Sequence, residues 1–295
     1  MIVRTARWIA TATPFRGLAR AVIDRLRRDA LLSADLLPYD VHRFDRRMWV
    51  IKETDVGTRL WCSLDERAIS RPILLDAYER AETKFIASIV RAGDHVVDAG
   101  ANIGFHTMHM ATLAGAAGRV DAFEPLAYLA DALEASRAEN GFEERVRVHR
   151  LALDERAGVL PLRHAPRTAN FGGGHFAPND AAPPDHADVV VPTARLDDVL
   201  GDALCRFMKI DVEGAEPRVI RGAEATLASG KPVILAELHD RQLQIVSGMG
   251  ATGFIDQMAA LGYGCARLNS DGTRGNRLTR YDDPAPINVV FDPHP

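Results

Sequence analysis

The sequence predicts an α/β fold: a doubly wound, mostly parallel sheet with an antiparallel closing strand, preceded by an N-terminal extension of helix and β-hairpin. Three observations predict it. From residue 95 onward, short apolar runs alternate with helical stretches, the order that builds a parallel sheet. The first run, His95-Val96-Val97-Asp98, enters a turn holding Gly100, Asn102 and Gly104, and after a helix a second strand ends at Glu124. That is half of a nucleotide-binding βαβ unit. Last, Gly264–Leu268 and Ile287–Phe291 read as an antiparallel pair at the sheet's end.

Residues 1–37 place Ile9, Leu18, Val22, Leu26, Leu31 and Leu36 among seven arginines, interrupted by Pro14. A basic amphipathic helix of this kind lies on an anionic membrane surface or packs on its own domain or a partner subunit. On the first reading, the arginines bring the protein into peripheral membrane contact, near a lipid-linked substrate. Residues 48–64 alternate as a β-hairpin turning near Asp55-Val56-Gly57. The chain divides into an extension, 1–75, and a main domain, 76–295.

Residues 68–91 read as one or two helices stopped by Gly93. In them Tyr78-Glu79 is either a half-buried tyrosine with a surface acid or part of a cofactor mouth. Then come a strand (95–98), a helix (102–114), a strand (119–124), a helix (126–139) ended by Asn140-Gly141, and a strand (146–151). Asp154 follows that strand, where it either reaches an adenine amino group or caps the turn to Gly158. Val159–Leu162 reads as a short strand. Residues 164–192, rich in Pro, Gly, Asn and Ala, form a loop long enough to be a substrate lid or a surface loop without a role. Val189–Val191 leads into the short helix Arg195–Leu200. A fourth strand, from Phe207 to Glu216, carries Asp211 and Glu213 on one side by its alternation, and Pro217 opens the next helix. A fifth strand, 232–239, ends in His239, and a helix over 252–261 precedes the closing pair.

The chain has 295 residues, 47% hydrophobic and 26% charged, with a net charge of -4. That is an ordinary globular balance, with no general electrostatic grip on nucleic acid. The three cysteines are far apart, so neither zinc nor a disulfide framework is indicated, and a reducing cytoplasm fits. No run of 18 apolar residues spans a membrane, and the N-terminus lacks a continuous apolar signal region.

The turn selects the ligand. A dinucleotide site wants G-x-G-x-x-G facing a pyrophosphate, whereas here Gly100 and Gly104 flank Asn102 and Asp98 stands at the strand end. Asp98 would repel a pyrophosphate but attract the cationic amino-acid end of S-adenosylmethionine. Glu124 sits about 20 residues on, where an acid accepts ribose hydroxyls. The motif pair resembles that of a class I, Rossmann-like methyltransferase.

Two acids at a strand end are costly unless used or neutralised. Asp211, Glu213 and Glu216 hold a substrate hydroxyl and take its proton, or bind a divalent cation, or pair with Lys209, Arg218 or Arg221 and cap the next helix. His239, beside the acidic strand end, is a second candidate base or a hydrogen-bonded surface residue.

Tyr78-Glu79, Val97–Gly104, Ala122-Phe123-Glu124-Pro125, Leu196-Asp197-Asp198, Lys209–Glu216 and Asn288–Phe291 together resemble the FkbM-type S-adenosylmethionine-dependent methyltransferases, over roughly residues 75–291. The resemblance implies a class I methyltransferase fold, S-adenosyl-L-methionine as cofactor, and transfer to a hydroxyl of a sugar, glycan or natural product. It assigns no metal ligands, and cation binding by Asp211 and Glu213 stays open beside the base role. By motif, Asp98, Gly100, Asn102 and Gly104 line the methionine end, Glu124 holds the ribose, and Asp211 and Glu213 face methyl transfer. Two other classes stay open: an NAD-dependent oxidoreductase, and a non-catalytic scaffold whose basic helix is the working part.

Overall fold

A computed structural model describes residues 40–41, 44, 47–164, 173–176 and 186–293. The basic segment 1–37 and most of 164–192 lie outside the described residues. The described chain begins with β1 (Asp40–Val41), β2 (Met48–Glu53) and β3 (Arg59–Ser63), then helices α1 (Ser70–Leu74) and α2 (Arg80–Ile89). The first crossover is β4 (His95–Ala99), α3 (Phe105–Ala114), β5 (Arg119–Phe123), α4 (Ala127–Glu139) and β6 (Val146–His149).

The central sheet continues with β11 (Phe207–Ile210), α6 (Glu216–Arg221), α7 (Glu224–Gly230) and β12 (Val233–Leu238). Helices α8 (Asp240–Ser247) and α9 (Ala251–Ala260) lead to β13 (Tyr263–Leu268), β14 (Arg274–Leu278) and β15 (Ile287–Pro293). Its strand order is β14-β13-β15-β12-β11-β4-β5-β6. The strands β6, β5, β4, β11 and β12 run parallel, and β15 enters antiparallel between β12 and β13. The closing pair is thus β13 with β15, and β14 extends it.

Strand alternation sends side chains to two cores. Val96, Val120, Phe207 and Leu235 pack with α1–α4, while Val97, Met208, Ile210 and Ile234 pack with the short helix α5 (Leu196–Leu200) and with α6–α9. The hairpin joins the first core: Trp49, Leu60 and Trp61 share a cluster with Leu129 and Leu133 of α4. Its outer strand is also tied to α4. The Trp61 N–H donates to Ser136 Oγ at 3.0 Å, and Asn140 bonds both the N–H and the carbonyl of Arg59.

A second sheet departs from the expected loop. It holds β7 (Ala152–Leu153), β8 (Gly158–His164), β9 (His175–Phe176) and β10 (Ala187–Ala194), in the order β7-β10-β8-β9. The strand expected over 146–151 therefore ends at His149, and the chain enters this sheet at β7, parallel to β10. No helix among the described residues is long and apolar enough to cross a membrane.

Candidate active site

The turn after β4 is built from left-handed backbone. Gly100 has φ 83°, Asn102 51° and Gly104 96°. The helix expected from residue 102 therefore starts only at Phe105. Gly100 and Ala101 both donate their N–H groups to the Phe123 carbonyl, at 3.1 and 3.0 Å. Glu124 completes the turn: Oε2 accepts the Asn102 N–H at 3.0 Å and Oε1 the Leu126 N–H at 2.8 Å. Burial pushes this carboxyl up to about 7, against those two bonds.

The exit from β11 differs from the extended reading. The strand ends at Ile210, and Glu213 takes φ 53°, so Asp211 and Glu213 sit in a turn, not on one face of a strand. Buried Glu216 fixes that turn, since Oε1 accepts the Val212 and Gly214 N–H groups. The two turns touch: a Cβ on Gly100 would lie 1.9 Å from the Asp211 carbonyl oxygen. The strands' hydrogen-bond register, Lys209 beside Asp98, forces this meeting.

Around it lies a half-buried charge cluster. Lys209 Nζ donates to Asp211 Oδ2 at 2.8 Å, and His106 Nε2 meets Glu79 Oε2 at 2.6 Å. Burial raises Glu79, but the Lys209 ammonium and the His106 bond outweigh it and hold the carboxyl down at about 2. Asp98, 1% exposed, takes the Thr107 hydroxyl on Oδ2 while Oδ1 has no protein partner. Burial raises the Asp98 carboxyl. Glu213 is pushed up to about 9 by burial and by Asp211, Glu237 and Glu216, and Glu237 to about 7. Arg218 and Arg221 are paired elsewhere, with Asp154 and Glu155. Among the described residues, no group of three His, Cys, Asp or Glu is arranged to hold a metal ion.

Two clefts open at the carboxyl ends of the strands, where ligands bind in sheets of this type. The first, about 600 Å³, is lined by Glu124, Leu126, Leu153, Leu162 and Gly174-His175-Phe176 among others. The second, about 450 Å³, is lined by Tyr78, Asp98, Gly104, Phe105, His106 and Lys209. Gly100, Asn102, Asp211 and Glu213 border both and mark their junction. Eight of the residues singled out from the sequence thus come together: Tyr78, Asp98, Gly100, Asn102, Gly104, Glu124, Asp211 and Glu213. Asp154 and His239 line neither cleft. Asp154 is buried against Arg218, and His239 precedes α8 at the end of β12. The sequence pointed to Glu79 beside Tyr78 but not to its pairing with His106, nor to Phe176. Glu79, φ 36°, gives no local sign of its left-handed backbone, which favours glycine.

The Methyltransferase FkbM domain profile matches residues 98–265, more than half the chain. The chain belongs to the FkbM methyltransferase family. The 31-O-demethyl-FK506 methyltransferase FkbM of Streptomyces tacrolimicus is 32% identical over 180 residues, 51% of this chain and 67% of that protein. Among solved structures, Methyltransferase FkbM from Methylobacillus flagellatus is 16% identical with a TM-score of 0.44, covering 75% of this chain and 54% of that one. A SAM-dependent O-methyltransferase from Thermotoga maritima is 14% identical with a TM-score of 0.38, covering 72% and 65%.

Family membership makes this a class I, S-adenosylmethionine-dependent methyltransferase, and the residues present fit that cofactor. Asp98 Oδ1 is a buried acceptor lacking a partner, suited to an ammonium group. Glu124, on the wall of the first cleft, suits ribose hydroxyls. Glu124→Ala is expected to weaken S-adenosylhomocysteine binding by ~1.5–3 kcal/mol, the usual size for hydrogen bonds to a charged group. Titration calorimetry checks this, and unchanged affinity removes Glu124 from the site.

Glu213 carries a pH prediction. The unfolded chain ionises it near the ordinary 4.5, whereas the fold holds the proton until about 9. The unfolded state therefore binds fewer protons between those values, and this contribution to stability falls as pH rises through them. Gln mimics the protonated acid. Glu213→Gln should match the parent near pH 4 and melt about 3–8 °C higher near pH 9 in the ligand-free protein. A gap in melting temperature that stays constant with pH would contradict this.

Proposed function

We propose that the protein transfers a methyl group to a hydroxyl of a sugar, glycan or natural-product acceptor. The observation that carries this is the Lys209–Asp211 ion pair, at the junction of the two clefts. S-adenosylmethionine supplies an electrophilic methyl on a sulfonium, so what the protein must add is alignment of the acceptor oxygen and a destination for its proton. Asp98 and the Gly100–Gly104 turn bind the methionine end. Glu124 binds the ribose. Lys209 engages Asp211 Oδ2 and fixes the carboxylate, so that Oδ1 takes the hydrogen bond of the acceptor hydroxyl. Glu213, holding its proton, donates a hydrogen bond to the same acceptor. His239 remains the second candidate base, but its place outside both clefts favours Asp211.

The name of the Streptomyces tacrolimicus relative puts its methyl on an oxygen of FK506, which supports a hydroxyl acceptor here. The test begins with titration of S-adenosylhomocysteine alongside NAD. Binding of the first alone is expected, and binding of NAD alone would overturn the cofactor. Labelled methyl is then offered with sugars, lipid-linked glycans and polyhydroxylated natural products. Transfer to nitrogen or carbon, with none to oxygen, would overturn the acceptor class.

A further inference from the structure

The first cleft is lined by both polar and apolar groups. Glu124 and the Gly100 turn are among the polar ones, and Leu126, Leu153, Leu162 and Phe176 among the apolar ones. A nucleoside combines the same two characters. Its ribose is a cluster of hydroxyls, while its base presents two flat apolar faces that pack best on aromatic rings. Two phenylalanines line the cleft, and they are not equivalent. Phe123 is already stacked on His149, with ring centroids 4.5 Å apart and planes 13° apart. Phe176 comes from β9, in the second sheet, and reaches the cleft from outside the central one.

Phe176 is not left to the loop for its position. The Arg218 guanidinium lies 5.0 Å from its ring centroid. That guanidinium is itself held by Asp154 in two parallel bonds, Nε to Oδ1 at 2.6 Å and Nη2 to Oδ2 at 2.8 Å. Asp154 is buried, and its N–H donates to the Ala194 carbonyl of β10 at 2.9 Å. Its backbone also packs against α6, since a Cβ on Gly222 would lie 2.2 Å from the Asp154 carbonyl oxygen. Asp154 thus joins the second sheet to the helix that carries Arg218. A bidentate pair of this kind fixes the plane of the guanidinium as well as its place. With both carboxylate oxygens so engaged, Asp154 acts on the cleft through Arg218.

We propose that Phe176 is the ring on which the cofactor's adenine packs, and that Asp154 and Arg218 are positioning residues that set this ring. This rests on the reading that the first cleft takes the nucleoside half of S-adenosylmethionine. The acceptor has no part in it, so acceptor affinity is unaffected by the clamp.

Titration calorimetry on the full chain separates the possibilities with two probes. S-adenosylhomocysteine carries both halves, and 5′-methylthioadenosine carries the nucleoside without the amino acid. Phe176→Ala is expected to weaken both by roughly tenfold. Arg218→Met, which keeps an unbranched apolar stem, is expected to weaken both by roughly threefold and to raise the KM for cofactor but not for acceptor. Asp98→Asn is expected to weaken S-adenosylhomocysteine alone. Phe176→Trp keeps the stacking face and is expected to bind both probes, with indole fluorescence quenched by 5′-methylthioadenosine. Unchanged affinity in Phe176→Ala, a loss confined to S-adenosylhomocysteine, or an unquenched Trp at this position would overturn the proposal. If the Ala variant does not fold, the Trp variant decides. A parent protein that binds neither probe overturns the cofactor reading itself.

Discussion

Gly100→Ala is expected to abolish measurable binding of S-adenosylhomocysteine and to lower the melting temperature by about 6–12 °C. Two separate costs add at this position. The backbone sits at φ 83°, where an L side chain loses ~1–2 kcal/mol. The new Cβ also meets the Asp211 carbonyl oxygen at 1.9 Å, and a backbone atom cannot rotate aside as a side chain can. Forcing the two turns apart costs a further ~1–3 kcal/mol, the range for overpacked sites. It also moves Asp211 away from the turn that lines both clefts. Gly57→Ala is the control: its φ is 77°, but nothing lies within 4 Å of the new Cβ. That variant is expected to show the conformational cost alone and to bind normally. Thermal unfolding and calorimetry of the pair check the argument. Equal behaviour of the two would mean that the close approach at Gly100 carries no weight.

The parts of the fold that local sequence spells out are those whose pattern is complete within a few residues. The run His95–Asp98 is apolar and short, its turn carries glycines, and the strand ending at Glu124 repeats the unit. Asn140-Gly141 ends α4 as expected, with Gly141 at φ 64°. The charge of Asp98 and the spacing of Gly100, Asn102 and Gly104 were enough to favour a cationic ligand over a pyrophosphate. The second sheet was not legible, because β8 and β10 pair across a long intervening segment and nothing in either strand names its partner. The same limit hid the clamp. Asp154 and Arg218 are 64 residues apart, so the acid could be read as an adenine contact or a turn cap without its partner being visible.

The start of α3 and the exit from β11 were misplaced for another reason. Asn102 and Glu213 hold left-handed backbone that their residue types do not announce. With Glu79, they make three of the five non-glycine residues of positive φ in the described chain, and all three stand at or beside the clefts. Backbone held in a sparsely populated region persists where the surroundings over-determine it, which is characteristic of binding sites. Propensity reasoning therefore fails here at the turns that border the clefts.

Asp211→Asn is expected to lower turnover by roughly 10²–10³-fold while leaving the affinity for S-adenosylhomocysteine within about threefold. Asn keeps the shape, so the backbone contact with Gly100 is untouched. Its amide oxygen still accepts a hydrogen bond from the Lys209 ammonium, now 2.8 Å from Oδ2. What is lost is the charge that draws a proton from the acceptor hydroxyl as the new C–O bond forms. The loss stays below the upper range for general bases, because the leaving group is already activated and only part of the barrier lies in proton removal. Single-turnover rates separate this from slow product release. His239→Ala measured beside it assigns the base, since His239 lines neither cleft and its loss is expected to change turnover by less than about threefold. Full turnover in Asp211→Asn with a large loss in His239→Ala would move the base to the end of β12. Full turnover in both would leave the proton to solvent and reduce the site to alignment of its two substrates.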